Sequence, residues 1–266
     1  MTMIERSFVR IKSGLVHVAT CGDGRPILLL HQTPRSWDEF RDVLPLLGAR
    51  YRAIAMDTVG FGDSQPLADG QDSIEAWAAA AHEVVAALGH DRVVVAGHHT
   101  GAAIAVEMAA SRPERVEALI LSACPYVDAA RRAKEPDRRV IDEVAQHVDG
   151  RHLQELWGRR QPFYPEGRGD LLERFIVDAL KAGPRAAEGH RVVGRYVMEP
   201  RLARVRCPTL VIAPMADPHA HPHAPSVAAA IAGSKLVEIE AGTVPLPDHM
   251  PHAFAAAIDQ FLSSLR

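Results

Sequence analysis

The chain has 266 residues, 47% of them apolar and 24% charged, enough to bury the core of one large domain or two small ones. Thirty lysines and arginines against 33 acids leave a net charge of -3 with no basic block, which excludes the phosphate-neutralising footprint of a nucleic-acid binder. No apolar run approaches membrane-spanning length, and three cysteines without C-x-x-C spacing argue against a disulfide framework or a zinc ribbon.

At the start of the chain, FVRIK and LVHVAT alternate around Ser13-Gly14 and predict an antiparallel hairpin. The pattern then changes to short apolar runs: ILLLH at 27–31, RAIAM at 52–56, VVVAG at 93–97, ALILS at 118–122, TLVIA at 209–213 and KLVEIE at 235–240. These read as strands buried on both faces. Amphipathic or Ala-rich segments at 37–47, 73–88, 102–111, 224–232 and 251–265 separate them and read as helices. Such alternation predicts an α/β fold whose mostly parallel, twisted sheet is flanked by helices. Residues 125–204 hold no convincing strand and are rich in charge. They predict a helical cap, inserted after the sixth strand, over the carboxyl ends of the strands, where open α/β sheets bind ligands. A separate helical domain is the other reading; with a cap, the core domain is 1–124 and 205–266. The segment MTMIERSFVRIKSG has no charged stretch leading into an apolar h-region, so a cytoplasmic protein is expected.

The chemistry begins at GHHTG, residues 97–101, between the run VVVA and the helix-like AAIAVEMAASRP. Its spacing is that of a nucleophile elbow, G-x-S-x-G, with His99 where serine would stand. Such an elbow turns sharply from strand to helix and lifts its central side chain above the sheet, and larger residues than Gly97 and Gly101 would collide there.

With this motif in place, the sequence resembles the α/β-hydrolase superfamily over nearly all of its length outside the insertion. LLLHQTPRSWDEFRDVLPLL is similar to that family's strand, His-Gly turn and following helix, and YRAIAMDTVGFGDS to its D-x-x-G-x-G-x-S loop. VVVAGHHTGAAIAVEMAASRPERVEALIL resembles the elbow strand and helix, CPTLVIAPMADP the acid-bearing strand, and PHAFAAAIDQFL the last helix. The resemblance implies a nucleophile, an acid and a histidine in that order, with two backbone N–H groups as an oxyanion hole. Here the acid position falls on Asp217, while Thr100 and Gln32 stand where the oxyanion N–H groups are expected. The histidine position falls on Thr243 or Val244, so the third member is missing unless a shifted loop brings His249 inward. Asp57 and Asp63 read as loop structure.

An imidazole at the elbow needs no neighbouring base. One reading keeps hydrolysis of an ester, lactone or similar small substrate, with His99 as general base or nucleophile. A related version uses His99 to draw a proton from bound substrate in a lyase, decarboxylase or cyclase step. A second reading requires no organic cofactor but a metal, motivated by DPHAHPHA: His219, His221 and His223 would point one way from an extended segment. A third is a non-catalytic ligand binder. A carboxylate beside one ring nitrogen of His99 and open space beside the other would favour the base; solid packing would favour lost catalysis.

The remaining candidates for substrate contact are His31, Trp37, His98 and Cys124 around the turn, and Phe163 and Tyr164 in the insertion, where flanking prolines predict a loop. The partner expected is a small molecule; the oligomeric state is left open.

Overall fold

A computed structural model describes residues 3–68, 70–134 and 140–265, so that 135–139 of the charged insertion lie outside the described residues. Eight strands form one sheet in the order β1-β2-β4-β3-β5-β6-β7-β8. β1 (Glu5–Ile11) and β2 (Gly14–Cys21) make the expected hairpin, and β2 joins β4 (Arg52–Met56) antiparallel. From β4 onward every pairing is parallel, through β3 (Pro26–Leu30), β5 (Val93–His98), β6 (Val116–Ser122), β7 (Thr209–Pro214) and β8 (Lys235–Ile239).

The apolar runs divide by alternation. Leu28, Leu30, Val93, Val95, Leu119, Leu121 and Val211 face one core, under α2 (Ile74–Ala87) and α3 (Thr100–Ser111). Ile27, Leu29, Val94, Ala96, Ile120, Leu210 and Ile212 face the other, under α1 (Leu44–Gly48) and α11 (Pro251–Ser263). Period-two side chains on a doubly covered sheet thus require both faces to be apolar, which is why these strands read as unbroken hydrophobic runs. One strand departs from that expectation. β8 lies at the sheet edge with four of its five residues exposed, so KLVEIE is not buried on both faces. The stretch 37–47 also divides, into a 3-10 turn at Trp37–Phe40 capped by Ser36, and the short α1.

Between β6 and β7 the chain is helical: α4 (Ala129–Lys134), α5 (Arg151–Arg160), α6 (Gly169–Ala182), α7 (Arg185–Arg195) and α8 (Glu199–Leu202). Leu156, Tyr164, Leu171, Leu172 and Phe175 form a small core of their own there, whereas Val192, Val193, Tyr196 and Leu202 pack into the core beside α3. A buried ionic knot fastens α6 to the sheet. Arg35, wholly buried after β3, donates to Asp178 at 2.8 Å and to Asp248, and Arg174 donates to Asp38 at 2.6 Å. Two more short helices, α9 (Ala224–Ala229) and α10 (Leu246–His249), complete the chain. Among the described residues no helix is long and apolar enough to cross a membrane.

Candidate active site

β5 ends at His98 and α3 begins at Thr100, so His99 alone carries the reversal, with φ 48° and ψ -113°. A positive φ at a residue with a Cβ is a strained conformation that the surroundings must enforce. They do so by close backbone approach. A Cβ on Gly97 would lie 2.1 Å from the Gly101 carbonyl oxygen, and one on Gly101 would lie 1.9 Å from that of Leu30. Gly101→Ala is therefore expected to lose about 3 kcal/mol of stability, read as a lowered denaturation midpoint, because backbone rather than a side-chain tip must move.

The ring of His99 stands in the wall of a cavity of about 360 Å³, with 17% of its side chain exposed. Its Nε2 lies 2.8 Å from Asp217 Oδ2, but the N–H is not aimed squarely at the oxygen, so charge and proximity hold the pair more than a straight hydrogen bond does. Nδ1 has no hydrogen-bond partner among the described residues. Asp217, from the loop after β7, is fully buried, and its Oδ1 accepts the N–H groups of His219 at 2.8 Å and Ala220 at 3.1 Å. Burial pushes its carboxyl up, but the His99 ring and these backbone donors outweigh that and hold it well below the ordinary carboxylate range.

His98 points elsewhere. It is fully buried, its Nε2–H donates to the Val244 carbonyl at 2.8 Å, and its Nδ1 accepts from Ser122 Oγ at 3.0 Å. The carbonyl can only accept, which fixes the tautomer. Burial, with the neighbouring His99 ring, pushes this imidazole down to about 3. Because the unfolded chain would take up a proton near pH 6.5 and the folded one only near 3, His98 supports the fold above pH 6.5. That support should drain away as pH falls from 6.5 toward 3, by about 5 kcal/mol in all. Denaturant titrations across that range should show the fall, and a smaller one in His98→Gln.

Val244, one of the two positions where the resemblance leads one to look for the histidine, lines the cavity as an apolar side chain. His249 does not replace it: it lies on α10 with Nδ1 3.2 Å from Thr243 Oγ1 and is absent from the cavity wall. The imidazole beside Asp217 is the one from the turn itself.

The oxyanion expectation needs a correction at Gln32. Its N–H is taken by Glu39 Oε2 at 2.9 Å and its side-chain amide by Glu39 Oε1 at 2.6 Å. Burial pushes Glu39 up to about 8, against the pull of Arg35. Gln32 lines the cavity, but the neighbouring Thr33 is the residue tied to Thr100, hydroxyl to hydroxyl, at 2.9 Å. Neither Thr33 N–H nor Thr100 N–H has a hydrogen-bond acceptor among the described residues.

Other candidates also move. His31 is a buried brace: its Nδ1 contacts the Gln32 carbonyl at 2.7 Å, and its Nε2 accepts the Thr58 N–H. Trp37 sits under Arg6, 4.9 Å from the guanidinium carbon, and its N–H is held by Asp57. Cys124 packs in the core beside α3, its thiol pushed up to about 12 by burial. Tyr164 belongs to the core of the inserted helices, and Phe163 packs at a tilt against His219 with ring centroids 4.6 Å apart, outside the cavity wall. None of these lines the cavity.

The extended geometry expected for the metal candidates is not what the backbone adopts. The segment His221–His223 is a 3-10 turn rather than an extended run, and among the described residues His219, His221 and His223 form no ligand cluster. His219 faces the cavity and His221 lies 3.1 Å from Glu238. Among the described residues the ligand types cluster instead at His17, Asp57 and Asp63, where Arg6 and Lys181 already pair with Asp63.

The inserted helices bring to the cavity residues with no sequence motif: Arg160 from α5 and His190 from α7, both on Asp142. Asp142 sits in a turn 18 residues before Arg160, and His190 follows 30 residues later on another helix, which leaves no periodic signal.

The sequence profile of the alpha/beta hydrolase fold family matches residues 25–243. Over 106 residues the chain is 39% identical to a soluble epoxide hydrolase of Corynebacterium sp. (strain C12), covering 40% of this chain and 37% of that protein. It is 36% identical over 123 residues to 2-hydroxy-6-oxononadienedioate/2-hydroxy-6-oxononatrienedioate hydrolase 1 of Dechloromonas aromatica (strain RCB), 43% of each chain. The chain thus covers about two fifths of these curated relatives' length. Its fold is similar to that of a hydrolase from Pseudomonas aeruginosa PA01, with TM-score 0.83, 24% identity, and 97% and 98% of the two chains covered. With the profile matching most of the sequence and the sheet order, turn and acid loop all in place, the chain belongs to the alpha/beta hydrolase fold family.

Proposed function

We propose that this protein hydrolyses a small ester or lactone, with His99 as general base. The observation that carries the reading is the pairing of Asp217 with one nitrogen of an imidazole that a strained turn holds in a cavity wall. An ionised, buried carboxylate beside Nε2 favours the tautomer with its proton there, which leaves the Nδ1 lone pair to accept a proton from water. That water attacks the acyl carbon, and the developing oxyanion is held by the N–H of Thr100, at the start of α3, and that of Thr33. The hydroxyl contact between the two threonines keeps these donors at a fixed spacing. Collapse expels the alcohol, or opens the lactone, and the proton on His99 returns to solvent. The reaction as proposed uses no metal ion or organic cofactor, and the helices over the cavity act as a cap of a core domain. Relatives named as hydrolases agree with this chemistry at the level of reaction class.

Turnover of p-nitrophenyl acetate, ethyl acetate and γ-butyrolactone, with and without a chelator, tests it. The expected result is hydrolysis of at least one substrate that survives chelation and disappears with His99. No hydrolysis, or hydrolysis lost on chelation, overturns the proposal.

A further inference from the structure

Besides His99 and His219, a third imidazole faces the same cavity from the inserted helices. His190 on α7 lines it with 21% of its side chain exposed, close to the exposure of His99. Its Nε2 is 2.7 Å from Asp142 Oδ2, a fully buried side chain, and 3.2 Å from a guanidinium nitrogen of Arg160, which holds the same carboxylate through Nε at 2.7 Å and through that second nitrogen. Burial pushes Asp142 up, but Arg160 and His190 hold it at about 2, so the carboxylate is charged at neutral pH. The rings of His99 and His190 thus each have a buried carboxylate behind Nε2.

The placement of His190 has a further cause in the preceding residue. A Cβ on Gly189 would lie 2.2 Å from Thr33 Oγ1 and 2.5 Å from Thr33 Cβ. A glycine inside a helix costs about 1 kcal/mol relative to alanine, so α7 gives up helix stability and in return lies directly on the Thr33 turn, with His190 beside the oxyanion donors.

Resting on the base role of His99, we infer that His190 is a second catalytic group, the general acid that protonates the leaving oxygen. As His99 takes a proton from water, the water oxygen bonds to the acyl carbon. The carbon–oxygen bond to the leaving group then breaks while imidazolium His190 donates its Nδ1 proton to that oxygen. The products are a carboxylic acid and an alcohol. The proton held by His99 passes through water to His190, which restores both rings. Asp142 supplies the negative charge that a protonated His190 needs, and Arg160 fixes the carboxylate so that it faces the ring.

General acid assistance matters only for a leaving group too basic to depart unaided. His190→Gln should therefore lose far more on ethyl acetate than on p-nitrophenyl acetate, the ratio of the two kcat values falling about 30-fold or more against the wild type. His190→Asn provides a second variant if the first lowers the denaturation midpoint. A role in packing alone would lower both esters equally or neither, and either outcome overturns the inference while leaving His99 as base. Activity that survives His99→Ala, or no activity in the wild type, removes the base role and this inference with it.

Discussion

His99→Ala loses about 1,000-fold in kcat on the best small ester, with KM changed by less than about threefold. General base catalysis contributes about 100- to 10,000-fold, and a group that acts on the attacking water stabilises the transition state without holding the substrate. Alanine has a second effect, since it removes the cation-forming partner from Asp217 and leaves a buried carboxylate with backbone donors on one oxygen only. Breaking such a pair costs about 3 kcal/mol of stability. His99→Gln separates the two effects: its amide N–H can still reach toward Asp217, so stability is retained, but it cannot accept a proton at neutral pH and kcat falls as far as in alanine. His99→Ser restores the serine of the G-x-S-x-G pattern and should be equally inactive, because the two loop positions where the resemblance would place its base hold Thr243 and Val244. Steady-state kinetics on the three variants, with denaturant midpoints measured alongside, decide the matter. A serine variant as active as the wild type would show that some other base serves this cavity.

The fold was legible because its signals are local and repeated. Val93 to Ala96, Leu119 to Leu121 and Leu210 to Ile212 can be apolar at every position only in a sheet covered on both faces, and Gly97 and Gly101 announce the tight turn between strand and helix. His99 and Asp217 were legible for the same reason, each following directly from a recognisable strand. The residues above them were not. Asp142, Arg160 and His190 meet through the packing of the inserted helices, and nothing in their spacing records it. Gln32 was misplaced for a subtler reason: the turn after His31 was rightly located, but Glu39, seven residues on, bends back to take the Gln32 N–H, so that Thr33 is left with the free donor. The run of His219, His221 and His223 misled because alternation implies a common side only in an extended chain, and the prolines among them turn it into a 3-10 helix.

Asp217→Asn is the sharper test, since it changes a charge and a tautomer and almost no volume. The asparagine oxygen can still accept the N–H groups of His219 and Ala220, so the loop after β7 keeps its form. Its NH2 then faces His99 Nε2, where Asp217 Oδ2 stood, and a donor there requires Nε2 to accept. The ring proton moves to Nδ1, and the nitrogen that should draw a proton from water carries one already. The imidazolium formed during attack also loses the nearby negative charge that would stabilise it. Both effects act on the same step, so kcat should fall about 1,000-fold with little change in KM, while thermal stability shifts far less than in Asp217→Ala, which abandons the two backbone donors. In the wild type the low carboxyl pKa means Asp217 supports the fold above pH 4 and loses that support as pH falls below it; Asp217→Asn should be flat over the same acid range. An asparagine variant within threefold of wild-type kcat would remove Asp217 from the mechanism and leave His99 to act on substrate without an orienting partner.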